Sequence, residues 1–185
     1  MVSSAVIGSL SRGREDGDAT FDAQFASFFR LHVSRVTRVL DRLSGEPDLA
    51  ADLVQDAFVR LYHRGAMPEA PEAWLISVAL NLLRNARTTV RRRARLLEGA
   101  EVEVQPGAAL SPDAGATGVE TRQLVQAALS LLPERDRQLL LLRAEGYSYR
   151  DVAHALGLHE ASVGTLLARA KEQFRTHYRG GLDAP

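Results

Sequence analysis

Cysteine is absent from this chain. That excludes disulfides and cysteine-ligated zinc, removes any thiol sensor from the protein itself, and fits a reducing cytoplasm as the expected compartment. No apolar run approaches the length of a membrane span. The opening residues MVSSAVIGSL lack both a basic start and a long apolar stretch, which argues against an export signal. Five histidines, His32, His63, His154, His159 and His177, form no HExxH or comparable spacing, so no metal site and no cofactor is expected. No segment alternates apolar and polar residues with period two over a strand's length, so no sheet is expected. A phosphate-cradling glycine loop and an activated nucleophile are also missing. The acidic pair Glu101 and Glu103 lies where nothing would desolvate it, so an enzyme is not expected.

What is present is helical periodicity and unevenly placed charge. The net charge is zero. Residues 21–95 nevertheless carry 12 Arg against 8 acidic residues, residues 96–120 carry 5 acidic residues and no base, and residues 121–179 carry 9 bases against 6 acids. Two basic blocks joined by an acidic connector point to a polyanionic partner.

Residues 1–20 are small, polar and glycine-rich and read as a disordered lead. From Phe21 to Leu43, the residues Phe25, Phe29, Val33, Val36, Leu40 and Leu43 recur at helical spacing, with Ser44-Gly45 as the stop. A second helix follows Pro47, with the stripe Leu49, Leu53, Ala57, Phe58 and Leu61, Asp48 as N-cap and Gly65 as terminator. A third starts near Pro71. It runs through Trp74, Leu75, Val78, Ala79, Leu82, Leu83 and Ala86, with Trp74, the sole tryptophan, as a core anchor. Leu96 to Gly118 lacks any period and reads as a linker. Thr117 with Glu120 suggests a capping box for a helix reaching Leu132, and Pro133 suits the first turn of the next. The fold class is therefore all-α: a helical domain over 21–95, a flexible acidic linker over 96–118, a second helical domain over 119–179, and a tail over 180–185.

Two features carry chemistry. Arg84, Arg87, Arg91, Arg92, Arg93 and Arg95 lie within twelve residues at the end of the third helix, beside Asn81, Asn85, Thr88 and Thr89. Arginine forks suit phosphate oxygens, while Asn and Thr reach bases or sugars. A merely solvated helix end needs fewer arginines, so nucleic acid is favoured. The stretch YSYRDVAHALGLHEASVGTLLARAKEQF, 147–174, has the spacing of a helix-turn-helix. Ala153 permits close helix approach, Gly157 sits at the turn, and Val163, Leu167, Ala170 and Phe174 hold down the second helix. Ser148 with Asp151 forms a capping box at its start. The mixed polar face Asp52, Gln55, Asp56 and Arg60 of the second helix is, by composition, simply solvated.

Taken in order, these segments resemble the bacterial RNA polymerase sigma factors of the extracytoplasmic-function group, over nearly all of Phe21 to Arg179. DLVQDAFVRLY at 52–62 is similar to the helix with which that family docks on the polymerase clamp, which would make Asp52, Gln55, Asp56 and Arg60 docking residues. AWLISVALNLLRNARTTVRRR at 73–93 is similar to the segment that opens and holds the minus-10 promoter element. It implies roles for Asn81, Arg84, Asn85, Thr88, Arg91 and Arg92, and a flipped-base pocket formed partly by the loop before Trp74. LPERDRQLLLLRAEGYSYRDVAHALG at 132–157 is similar to the start of the minus-35 domain, whose DNA contacts would be Arg150, His159, Ser162, Thr165, Arg169 and Lys171.

Two departures stand out. The loop reads GAMPEAPEA rather than the family's frequent Phe-Arg-Gly pattern. The recognition helix reads Val163-Gly164-Thr165-Leu166-Leu167 where relatives often have V-K-S-R-L, which implies weak upstream binding without polymerase. The expected partners are core RNA polymerase, promoter DNA and an anti-sigma factor. A sigma-like protein that binds polymerase or an anti-sigma partner without strong promoter reading, and a stand-alone helix-turn-helix regulator, are the competing readings.

Overall fold

The structure is a computed structural model describing residues 4–98 and 116–182, with side chains described in 20–90, 92–93 and 121–180. Seven helices and no strand occur among the described residues. Helices α1 (Ser4–Ser44), α2 (Pro47–His63) and α3 (Pro71–Glu98) form the first unit; α4 (Ala116–Ser130), α5 (Glu134–Ala144), α6 (Tyr149–Leu156) and α7 (Glu160–Leu182) form the second.

In the first unit α1 packs on α2 and α3, and α2 packs on α3. Val36, Val39, Leu40 and Leu43 of α1, Leu53, Val54, Ala57, Phe58 and Leu61 of α2, and Leu75, Ile76, Ala79, Leu80 and Leu83 of α3 are buried together. The buried face of α1 is rotated from the expected stripe. Phe28 and His32 are buried, whereas Phe29 is 38% exposed and joins Phe25, Phe58 and Tyr62 in an aromatic cluster, 4.8 Å from Phe58 in an edge-on contact. Trp74 is only partly buried, at the margin of the core rather than its centre.

Several helix ends differ from the expectations. The backbone of α1 is helical from Ser4, so the lead read as disordered is not irregular there. Glu46, not Asp48, occupies the N-cap of α2, with extended backbone and no side-chain cap. Pro47 fills the first helical position, where its fixed φ and missing N–H are best tolerated, and Asp48 is left inside the first turn. Helix α3 continues through the arginine run to Glu98 and α4 starts at Ala116, so both ends of the expected linker are helical. The rest of that linker, and the side chains of Thr117 and Glu120 expected to form a cap, lie outside the described residues.

In the second unit α7 packs against α4, α5 and α6. Ser148 caps α6 as expected: the Asp151 N–H donates to Ser148 Oγ at 3.1 Å, and the Ser148 N–H donates to Asp151 Oδ2 at 3.3 Å. The helix ends at Gly157, whose φ of 64° and ψ of 39° put it in the left-handed region. The following Leu158 N–H donates to Ala153 O at 2.8 Å, a Schellman closure that only a residue without Cβ makes without strain. Val163, Leu167 and Ala170 then bury one face of α7.

The two units do not stand apart. Helix α6 packs on α3 and α5 packs on α1, so the buried apolar side chains of both halves form one contiguous cluster. Sequence patterning predicted two units connected by a linker; the structure adds a direct interface between them.

Candidate nucleic-acid interface

Asn81, Arg84, Asn85 and Thr88 occupy positions i, i+3, i+4 and i+7 of α3, so they share one face, and all four are exposed. The opposite face is fixed by Leu75, Ile76, Ala79, Leu80 and Leu83 in the core. Rigid burial on one side therefore aims the polar row outward on the other. Arg84 donates from Nη1 to Asn81 Oδ1 at 3.0 Å, which orients the Asn81 amide group to present its N–H donors. The hydroxyls of Thr88 and Thr89 donate to the carbonyl oxygens of Arg84 and Asn85, leaving their oxygen lone pairs as acceptors. Arg92 is exposed further along the helix, and the Arg91 side chain lies outside the described residues. Arg87 departs from the row. It turns inward, donating to Leu43 O and pairing with Glu134 of α5 at 3.4 Å.

The loop before Trp74 borders a small cleft of about 200 Å³ lined by Pro68, Glu69, Ala70, Ala73 and Trp74. Its far wall is Arg150, Asp151 and His154 of α6. The loop assigned to a flipped base and the first helix of the helix-turn-helix therefore face one another.

On α7, Ser162, Thr165 and Arg169 are exposed on a common face, with His159 at the helix entrance and Arg150 exposed on α6. Lys171 is also exposed but does not belong to that face. At about 100° per residue it lies roughly 180° from Ser162, and it lines a wide cleft of about 810 Å³ with Arg38 and Arg42 of α1. Placing Lys171 among the helix-turn-helix contacts is thus corrected by geometry. Gly164 sits on the same side as Lys171. A Cβ there would meet Tyr149 Cε2 at 3.6 Å, so a lysine at this position would start from the α6–α7 contact rather than from the exposed row.

Asp52, Gln55, Asp56 and Arg60 are all exposed on α2. Sequence reading missed Val59, which is 44% exposed in the middle of that polar face. Its signal was available: Val59 falls out of phase with the stripe Leu53, Ala57, Phe58 and Leu61, so an apolar side chain had to face outward.

Among the described residues no group of His, Asp or Glu side chains is arranged to hold a metal ion, and no helix is long and apolar enough to cross a membrane.

An arginine-bordered helix face and a helix-turn-helix on one small all-α chain define a promoter-recognition protein of the sigma type. Comparison with known proteins agrees. Residues 28–95 match the Sigma-70 region 2 family and residues 122–174 match Sigma-70, region 4. The chain is 31% identical over 175 residues to the ECF RNA polymerase sigma factor SigE of Mycolicibacterium smegmatis, covering 87% of this chain and 67% of that protein. It is 34% identical over 152 residues to the ECF RNA polymerase sigma factor SigM of Mycobacterium tuberculosis, covering 80% and 73%. Its fold is shared with the sigma factor RpoE of Bartonella quintana, solved in complex with the anti-sigma factor NepR, at a TM-score of 0.68 and 22% identity over 84% of this chain and 97% of that one. The chain belongs to the ECF RNA polymerase sigma factors. It is a transcription-initiation factor rather than a stand-alone regulator.

Proposed function

We propose that this chain docks on core RNA polymerase through α2, captures the opened strand of the minus-10 element on α3, and fixes register at the minus-35 element with α7. Asp52, Gln55, Asp56 and Arg60, around Val59, form the docking face. Asn81, Arg84, Asn85, Thr88 and Arg92 meet the single strand, with a flipped base entering beside Trp74; capture there has to offset a few kcal/mol of lost stacking. Ser162, Thr165 and Arg169 enter the major groove, flanked by Arg150 and His159. The protein has no chemistry of its own, works in the cytoplasm, and takes an anti-sigma factor as a further partner.

The observation that supports this reading best is the row Asn81, Arg84, Asn85 and Thr88, wholly exposed and backed by a fully buried apolar face. Run-off transcription with sigma-free core polymerase tests it. Asn81→Ala and Arg84→Ala should each reduce promoter-specific product roughly tenfold or more, each removing a contact of about 1–3 kcal/mol, while leaving polymerase association intact. Undiminished initiation in both variants would remove these residues from the site.

A further inference from the structure

The wide cleft that Lys171 borders is unlike either DNA-facing surface. Its floor is apolar: Val125 and Leu129 of α4, Leu140 and Leu141 of α5, and Leu167 and Phe174 of α7. Its volume of about 810 Å³ falls within the roughly 300–1,000 Å³ of small-molecule sites. Phosphates and base edges gain nothing from a leucine floor, so nucleic acid is a poor occupant.

The rim has the opposite character. Arg38 and Arg42 of α1, Arg122 of α4, Arg143 of α5 and Lys171 of α7 line it, against the single carboxylate of Asp41. Glu145 stands beside it, but that one carboxylate serves both Arg38 and Arg42, at 2.8 and 2.9 Å. Positive charge is therefore in surplus. Lys171 is exposed and makes no ion pair among the described residues. Arg143 donates from Nη1 to Tyr147 O and lies 4.8 Å from the centre of the Tyr149 ring, while its buried Nε donates to none of the described residues. A guanidinium with an unused buried donor favours an anion nearby.

We propose that this cleft binds a single-chain amphipathic anion, an alkyl carboxylate whose chain covers the leucine floor and whose headgroup is held by Lys171 and the rim arginines. Each half of the site needs the other. A neutral chain would leave the cations unmatched, and a bare anion would leave the floor wet. Four different helices supply the cations, so their field converges on one headgroup rather than running along a strip. That disfavours an acidic helix as the occupant. The inference goes beyond promoter recognition and does not depend on it. No residue of the exposed α3 row lines the cleft, and neither does Ser162, Thr165 or Arg169.

Isothermal titration of the full-length chain tests this with decanoate, 1-decanol and acetate, far below micelle formation. Decanoate should bind one to one and at least tenfold more tightly than 1-decanol, and acetate should not bind. Lys171→Glu, at an exposed position where folding is not at stake, should weaken decanoate about tenfold or more while leaving 1-decanol unchanged. Val125→Trp, which fills part of the floor, should weaken both. In methyl NMR spectra decanoate should shift Leu140 and Leu167 but not Leu53 and Val54 of the first unit. Equal affinity for decanoate and 1-decanol, decanoate binding unmoved by Lys171→Glu, or shifts confined to α2 and α3 would overturn the proposal. Binding of a glutamate-rich amphipathic peptide without binding of decanoate would overturn it too, and would assign the cleft to a protein partner.

Discussion

At the scale of single residues, local chemistry was the most legible layer. The Ser148–Asp151 box and the Gly157 turn follow from short-range geometry alone, and both are in place. Asp48 failed as a cap because a neighbouring proline outcompeted it for helix entry: Pro47 at the first position moves the cap back to Glu46. Lys171 was grouped with the recognition face by charge and proximity in sequence, when its helical phase sets it apart. Gly164 carries a usable prediction. It lies inside α7, its added Cβ would meet Tyr149 at an ordinary 3.6 Å, and Gly costs a helix interior roughly 1 kcal/mol relative to Ala. Gly164→Ala should therefore stabilise the protein by about 1 kcal/mol in denaturant unfolding, and a destabilised variant would show that the Tyr149 contact is tighter than its distance implies.

His32 gives a second residue-scale prediction. Burial lowers its pKa from the ordinary 6.5; Glu72, 3.9 Å away, opposes the shift, and Arg35 adds to it. The unfolded chain then binds the proton more readily than the folded one. Stability from a neutral His32 is complete above pH 6.5 and is lost as the pH falls below it. His32 stacks on Phe28 at 4.2 Å between ring centroids, so His32→Phe keeps an aromatic there. Unfolding free energies on either side of pH 6.5 should show a smaller acid loss in His32→Phe than in the parent. An equal loss would place the acid sensitivity elsewhere.

At the scale of elements, α2 to α7 were readable because apolar residues recur in them at helical spacing, and α2 and α6 also carry a local stop in Gly65 and Gly157. Their boundaries were less so. The arginine run looked like a helix end, yet α3 carries on to Glu98 because arginine has good helix propensity and nothing there breaks the chain. In α1, the choice between Phe28 and Phe29 depended on where α2 sits. Two adjacent aromatics both satisfy a helical period and both meet Phe58 of α2, Phe29 at 4.8 Å and Phe28 at 6.4 Å between ring centroids, so only the packed position of α2 decides which one faces outward. The same logic isolates Val59. Exposed amid Asp52, Gln55, Asp56 and Arg60, it is suited to be the apolar centre of a docking patch whose rim is charged. Val59→Asp should leave helicity and melting temperature near parental values while weakening association with core polymerase by tenfold or more, about 1.4 kcal/mol, in a competition against a second sigma factor. Undiminished competition would exclude this face from docking.

At the scale of the whole molecule, the division into two helical units with a helix-turn-helix in the second was legible from the order of motifs, and the family comparisons agree with it. The contact between the units was not. It depends on Arg35, Arg38 and Arg42 meeting Glu145 more than a hundred positions away, and no periodicity or local rule reports such a meeting. A basic helix face and a lone glutamate each look solvated until the fold brings them together. Arg87 turns inward to Leu43 O of α1 and Glu134 of α5 while Asn81 and Arg84 stay outward, so one arginine-rich segment serves both the interface and the exposed row.

The central claim is that the exposed row on α3 holds the opened strand. Permanganate reactivity of thymines on a promoter bound by the reconstituted polymerase measures that opening directly. The account predicts a reactive bubble at the minus-10 element with the parent chain, and a bubble lost or strongly reduced with Asn81→Ala and Arg84→Ala although the complexes still bind upstream. A bubble of parental strength in both variants would contradict it.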